Sequence, residues 1–412
     1  MHIVITYPYA LGIGGGSALD CLECARHLRR AGAEVTVLSV STTTMSRFPR
    51  PRPTREQMGY PEEAMLNEAG VNVVRVEPNR LHFLLDGLPV RSALRDMLQK
   101  QTIDAVVGWF NEAAFLPAFL RAHSIRFGMI AAASYARHVV RKSDSEEARR
   151  NVWASGVARI KDGVRPLWLH RPLRKADVVF ARSGFTAGEI VDLLGVDEER
   201  VVISYCGIDP LFFDIVRTQP DTISNLIFVG SLDREKGLQD ALEALQRVSA
   251  MGYEDWTLRV AGKGNASSFD SQIDSLGLGN HIQFLGYLDR DALKRELGLA
   301  HLAIIPSHGE SFGLAVAEAQ VAGLPVVAYR VGAVPELIEH GVTGWLVPLR
   351  RPDRLAQAVV QAIESPRLTY EAGQAGRKRM RNRFSWTRTA EQMLHELRSE
   401  TEPESSARVV AS

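Results

Sequence analysis

Short apolar runs rich in Val, Ile and Leu recur along the chain. Between them lie segments whose apolar residues return every three or four positions. Residues 3–6, 35–40, 71–76, 105–108, 129–133 and 178–181 read as strands in the first half, and 226–229, 257–261, 282–284, 302–305 and 326–328 in the second. These runs are continuous rather than alternating, which suits strands buried on both faces of a parallel sheet. Residues 239–250 and 315–322 carry helical periodicity. Strand and helix in alternation predict an α/β fold of doubly wound layers.

The pattern restarts near residue 225. The stretch 209–224 holds Pro210 and Pro220 with little periodicity, so the domain boundary is placed there. Two domains of similar size are expected, 1–215 and 216–385, each long enough for its own core. A last segment, 386–412, ends in a polar tail rich in Glu and Ser from Ser399, which is expected to fray. In open α/β sheets ligands bind beyond the carboxyl ends of the strands, so the loops after strands are where chemistry is sought.

Composition narrows the classes. The chain has 412 residues, 45% of them hydrophobic and 24% charged, an ordinary globular mixture. Forty-nine Lys and Arg against forty-eight Asp and Glu leave +1, so nucleic acid is not an expected partner and any anion must be held locally. No run approaches the roughly 18 apolar residues of a membrane span. The start, Met1-His2-Ile3-Val4, reads as a first strand rather than a signal peptide. Three cysteines do not make a disulfide framework. Cys21 and Cys24 form a lone C-x-x-C inside a helical pattern, and only Cys206 remains, so a structural role is expected and zinc is not. The cytoplasm is the expected location.

Four loops carry candidate chemistry. Gly12-Ile13-Gly14-Gly15-Gly16-Ser17 follows the first strand. Glycines let the backbone approach a ligand, and a helix N-terminus favours an anion. A dinucleotide fingerprint would need glycine at Ser17 and an acidic residue after the second strand, which ends Leu38-Ser39-Val40-Ser41. A phosphate-facing loop or a plain tight turn remain. Gly262-Lys263-Gly264 is not a P-loop, because Lys263 is followed by glycine. The turn Gly230-Ser231-Leu232-Asp233-Arg234-Glu235-Lys236-Gly237 places Arg234 and Lys236 at a strand's carboxyl end. Two cations suit a diphosphate, Arg as a fork and Lys as a point charge. The bland alternative is a solvated pair balanced by Asp233 and Glu235. Finally, Pro306-Ser307-His308-Gly309-Glu310-Ser311-Phe312-Gly313-Leu314 leads into a helix carrying Glu318. Glu310 could take hydroxyls of one ring and Glu318 those of another, such as a ribose. A carboxylate among Ala and Val is otherwise either a helix-surface charge or in want of a partner.

These elements, in this order, resemble the retaining glycosyltransferases of family 4, which have the two-domain GT-B fold. The match runs through Gly230 to Gly237, Gly262-Lys263-Gly264, Phe284-Leu285-Gly286, the seven-residue spacing of Glu310 and Glu318, Ala322-Gly323-Leu324-Pro325, Pro335-Glu336, Gly341-Val342-Thr343-Gly344 and Phe384-Ser385-Trp386. In the first half it is looser, through Gly14–Gly16, Ala181-Arg182-Ser183 and Val202 to Asp209. The resemblance implies two Rossmann-like domains facing across a cleft, with a helix near Phe384 crossing back to the first. It implies that Gly15 and Gly16 approach the donor diphosphate, and that Arg234 and Lys236 bind it beside Gly230 and Gly262. Glu310 would hold donor-sugar hydroxyls near the N–H groups of Phe312, Gly313 and Leu314, and Glu318 the nucleotide ribose. The donor would be a UDP-, GDP- or ADP-linked sugar and the acceptor a small molecule, a glycan or a lipid-linked hydroxyl, with no metal and no other cofactor.

The resemblance departs at one point: many members of that family carry a His at the end of the strand 129–133, where Ser134 and Tyr135 stand here, and His138 comes shortly after. Tyr135 and His138 are therefore the acceptor-side candidates. Retention could come from attack on the face the diphosphate leaves or through a carboxylate nucleophile, and the sequence leaves both open. A phosphorylase, or a binding scaffold on the same fold, is the alternative to a transferase. Over 137–182 twelve Lys and Arg meet five Asp and Glu, a local +7. This segment is a solvated face or a contact with an anionic acceptor or an anionic membrane surface.

Overall fold

The computed structural model describes residues 1–8, 16–40, 61–77, 87–109, 111–132 and 170–399. Seven strands make the first sheet: β1 (His2–Tyr7), β2 (Glu34–Val40), β3 (Asn72–Val76), β4 (Ala105–Gly108), β5 (Arg126–Ala131), β6 (Val178–Ala181) and β7 (Val201–Ile203). Six make the second: β8 (Asn225–Val229), β9 (Thr257–Ala261), β10 (Ile282–Gly286), β11 (Leu302–Ile305), β12 (Val326–Tyr329) and β13 (Gly344–Val347). Every strand pair is parallel, in the orders β3-β2-β1-β4-β5-β6-β7 and β10-β9-β8-β11-β12-β13. The continuous apolar runs therefore do mark doubly covered strands. β1 and β4, β5 and β6 and all of β11 and β12 are fully buried, apart from the part-buried first residue of β5.

Two strands escape the sequence pattern. β7 has three residues, and its last is exposed. β13 opens with Gly344, which normally reads as a break. Here glycine is needed: its φ is +154°, and a Cβ would stand 2.4 Å from the Val326 carbonyl oxygen of β12.

In both sheets the strand order reverses once, between β1 and β4 and between β8 and β11. At such a reversal the flanking crossovers leave on opposite faces and open a crevice at the carboxyl edge. The helix Gly16–Arg30 begins beyond β1, and the helices Leu238–Ala250 and Leu314–Val321 begin beyond β8 and β11.

The last two helices tie the halves together. Pro366–Arg383 packs on Leu314–Val321, and Trp386–Arg398 packs on Gly16–Arg30 and on β5 and β6. Thr389 donates to the Tyr205 carbonyl at 2.7 Å and Gln392 to that of Ile203 at 3.2 Å. Gly207 makes this approach possible, because a Cβ there would lie 2.2 Å from the Trp386 nitrogen. One apolar cluster thus continues from Ile5 and Leu28 through Trp386 and Phe384 to Val316 and Leu324.

Arg182 lies in the first domain's interior, 1% exposed, and grips Asp20 with two nitrogens at 2.7 and 3.0 Å. It also donates to the Ser204 carbonyl and to the Cys24 sulfur. Arg182 cannot face a membrane surface, and residues 137–169 lie outside the described residues. Cys21, Cys24 and Cys206 are free and buried, and burial pushes each thiol up. No described helix is long and apolar enough to cross a membrane.

Candidate active site

The turn after β8 is built by its own side chains. Asp233 accepts from the Glu235 and Lys236 nitrogens at 3.0 and 3.2 Å, closing the short 3₁₀ turn Arg234–Lys236. Gly237 follows with φ +74°, and a Cβ there would come within 2.0 Å of the Pro306 carbonyl oxygen. Only glycine lets the turn press against the loop after β11. The loop after β9 closes in the same way: a Cβ on Gly262 would meet the Gly230 oxygen at 1.7 Å. Gly230 in turn donates its N–H to Ala261. The glycines of these loops thus serve close packing of three adjacent loops at the sheet's carboxyl edge.

That packing brings Lys236 Nζ to 2.7 Å from Glu310 Oε1. The sequence reading assigned the two residues to different parts of a ligand; the structure joins them as one ion pair. Glu310 is 12% exposed and Lys236 31%, so the pair sits at the cleft surface rather than in the core. Arg234 is exposed, with no ion pair among the described residues. The loop holding Glu310 is fixed from behind. Its carbonyl accepts from Ala333 at 3.0 Å, and Gly332 approaches it so closely that a Cβ would stand 2.0 Å away.

Gly313, at φ +95°, turns the chain into the helix Leu314–Val321. The first N–H groups of any helix lack an intrahelical acceptor, so those of Gly313 and Leu314 are available beside Glu310. Phe312 is buried against Phe384, with ring centroids 5.7 Å apart. Its side chain anchors the loop and only its backbone can serve a ligand. His308 is oriented by Asp240, Nε2 to Oδ2 at 3.1 Å, and Tyr329 donates to the same oxygen at 2.7 Å.

Glu318 is buried, which removes the helix-surface alternative. Burial pushes its carboxyl up and Arg290 pulls it back. Arg290 Nη1 lies 2.5 Å from Glu318 Oε1, and its other nitrogens reach Asp209 Oδ2 at 2.9 and 3.1 Å. Sequence reasoning assigned no role to Arg290 or Asp209; the only local hint was a cation right after the strand β10.

The first domain meets this loop directly. Ser311 donates to the Ala132 carbonyl at 2.8 Å, one residue beyond β5, and its own carbonyl accepts from Ser183 at 2.6 Å. Glu336 accepts from the Gly184 and Phe185 nitrogens, at 2.9 and 2.8 Å, at the start of the helix Gly184–Leu194. It also accepts from the Tyr205 hydroxyl at 2.9 Å. A second carboxylate passed over in the sequence is Glu112, fully buried at the carboxyl edge between β1 and β4, which accepts from Thr6 and from the Trp109 nitrogen. Gly16 opens its helix at the same edge. Gly15, Tyr135 and His138 lie outside the described residues. No group of three or more potential metal ligands occurs among the described residues.

Residues 14–211 match the family described as Glycosyltransferase Family 4, and residues 216–379 match Glycosyl transferases group 1. Glycogen synthase of Mycobacterium tuberculosis is 30% identical over 266 residues, which is 63% of this chain and 63% of that protein's own length. Sucrose-phosphate synthase of Thermosynechococcus elongatus superposes with a TM-score of 0.73 at 19% identity, over 96% of this chain and 97% of the other. HepE of Anabaena, solved in complex with UDP-glucose, superposes with a TM-score of 0.69 at 19% identity, over 96% and 99%. At these identities the likeness establishes the fold, which is GT-B.

Proposed function

This chain belongs to glycosyltransferase family 4, and we propose that it moves a sugar from a nucleotide diphosphate to an acceptor hydroxyl, with retention and without a metal. The observation that carries this reading is the Lys236–Glu310 pair. It stands at the strand reversal of the second sheet, facing the first domain, at 2.7 Å.

Negative charge develops on the leaving diphosphate. Lys236, Arg234 and the N–H groups of Gly313 and Leu314 stabilise it, and preorganised dipoles and cations at such a point supply most of a rate enhancement. Gly16, opening its helix, offers a further anion-favouring terminus from the opposite domain. Glu310 accepts from hydroxyls of the transferred sugar, and its bond to Lys236 keeps both groups oriented before the donor arrives. Glu318 takes the ribose. The acceptor enters from the first-domain edge near Ala132 and Glu112, and attacks on the face the diphosphate leaves. HepE was solved with UDP-glucose, which makes a UDP-linked sugar the first donor to try, before GDP- and ADP-linked ones.

The test is a donor panel with those three nucleotide classes, read by thermal stabilisation and by slow donor hydrolysis. A ligand that binds only the folded state raises its stability by mass action. With the active donor, Glu310→Gln and Lys236→Met should each lower turnover by about 10²–10³-fold. Unchanged turnover in both variants would remove the site assignment. Retention is read from the anomeric proton coupling of the product, and metal independence from turnover in excess EDTA.

A further inference from the structure

We propose that Arg290 is a positioning residue of the donor site: it holds Glu318 in one orientation, ready to accept from ribose hydroxyls, and ties that carboxylate to the segment joining the two domains. The inference rests on the reading of Glu318 as the ribose carboxylate.

Three segments distant in sequence converge on one guanidinium. Arg290 begins the helix Arg290–Leu299 beyond β10. Its Nη1 takes Glu318 Oε1 at 2.5 Å, while Nη2 and Nε both take Asp209 Oδ2, at 2.9 and 3.1 Å. Its flat face lies over the Phe212 ring, 4.5 Å from the centroid. Four contacts on a planar group leave it no second arrangement, because each edge and one face is engaged. Asp209 is fixed in turn: its other oxygen caps the 3₁₀ turn Pro210–Asp214 by accepting from Leu211 at 2.9 Å. That turn lies between β7 and β8, where the chain passes from one domain to the other.

The consequence for Glu318 follows from its surroundings. It lies on a helix whose neighbouring side chains are Ala, Val and Gln, and is 7% exposed. A buried carboxylate with no cation would become neutral or turn away. Arg290 occupies Oε1 alone, so Oε2 is left for a ligand. The charged groups acting on Glu318 are Arg290, which favours its ionised form, and Asp209, which disfavours it. One cation shared by two carboxylates keeps Glu318 an acceptor while its position follows that of the interdomain segment. An arginine is suited to this and a lysine is not, since a lysine cannot hold both carboxylates in fixed geometry.

The experiment uses the full chain with UDP, GDP and ADP, and then the 2′-deoxy form of whichever stabilises it. The variants are Arg290→Met, Arg290→Lys and Glu318→Gln, and affinity is measured from about pH 6 to about pH 8.5. For Arg290→Met the affinity at the acid end should fall about tenfold or more and recover as pH rises, since a shift of one pKa unit is a tenfold change. Its preference for the ribo over the 2′-deoxy nucleotide should shrink, with KM for the donor rising more than kcat falls. Arg290→Lys should restore part of the acid-side affinity without restoring the ribose preference. A merely structural arginine would lower thermal stability and leave the pH profile and the preference where they were; that result overturns the inference. If Glu318→Gln binds and discriminates like the wild type, or if none of the three nucleotides stabilises the chain, the ribose reading of Glu318 fails first. If Glu318→Gln is impaired and both Arg290 variants are not, Glu318 keeps its role and Arg290 loses the one proposed.

Discussion

Replacing Glu336 by Ala should loosen the start of the helix Gly184–Leu194, although Glu336 belongs to the other domain. Ser183, the residue just before that helix, accepts from the Thr186 nitrogen. The N–H groups of Gly184 and Phe185 have their acceptor in Glu336, at 2.9 and 2.8 Å. Hydrogen bonds to a charged group contribute about 1.5–3 kcal/mol when buried, and partial exposure puts these nearer the low end of that range. The negative charge at a helix N-terminus adds about 0.3–1 kcal/mol. Each of the two amides should therefore lose about 2 kcal/mol of local protection, which corresponds to roughly thirtyfold faster exchange. The assay is hydrogen exchange of the peptide covering 183–190, with the helix Leu238–Ala250 as internal reference. A local probe is preferable to global unfolding because a two-domain chain need not melt in one step. Glu336→Gln keeps one acceptor oxygen and should give an intermediate rate. Tyr205→Phe removes only the third partner, at 2.9 Å, and should leave the two amides nearly as protected as before. If Glu336→Ala exchanges within about threefold of wild type over 183–190, the bond does not hold the domains together as argued.

Asp20→Ala strips the partner from a guanidinium that is 1% exposed and should cost about 3–5 kcal/mol of stability, seen as a lower denaturant midpoint. Gly237→Ala meets both a φ of +74° and the Pro306 oxygen at 2.0 Å; it should displace the Lys236 turn and abolish nucleotide stabilisation, while circular dichroism shows the chain still folded. Burial lowers His27, with Arg30 and Arg26 adding to it and the Glu23 carbonyl and carboxylate opposing. A histidine whose folded value lies below 6.5 takes up its proton more readily when unfolded, so stability should fall as pH drops through that value. His27→Gln should flatten that part of the curve, measured by urea midpoints between about pH 7.5 and about pH 5. Glu310→Gln should lose turnover while keeping nucleotide stabilisation, because the carboxylate is assigned to the transferred sugar and not to the diphosphate.

The parallel layers were legible because a strand covered on both faces must be apolar at every position. Ala105–Gly108 and Leu302–Ile305 carry that mark; the three residues of β7 are too few to carry it, and Gly344 disguises β13. The candidate residues Lys236, Glu310 and Glu318 were legible because each follows a strand within one local motif. Their geometry was not. Nothing near residue 290 announces a partner 81 residues away at Asp209, and nothing near Glu336 announces a helix start 152 residues earlier. Such pairs are products of the topology, which brings loop ends together at the carboxyl edge. The turn 230–237 was read for its two cations, and the structure adds a packing reason for its last glycine, Gly237, in Pro306.

The helix Trp386–Arg398 has a bearing on how the molecule is made. It packs on Gly16–Arg30, where Cys21, Leu22, Ala25 and Leu28 are buried. On a ribosome the helix Gly16–Arg30 is made well before the segment that packs on it. For the synthesis of the entire second domain the first must wait with an uncovered apolar stripe, exposed to chaperones and to neighbouring nascent chains. A fragment stopped at the interdomain segment would carry that stripe permanently, so the halves of this chain are better studied by point substitution than by cutting them apart.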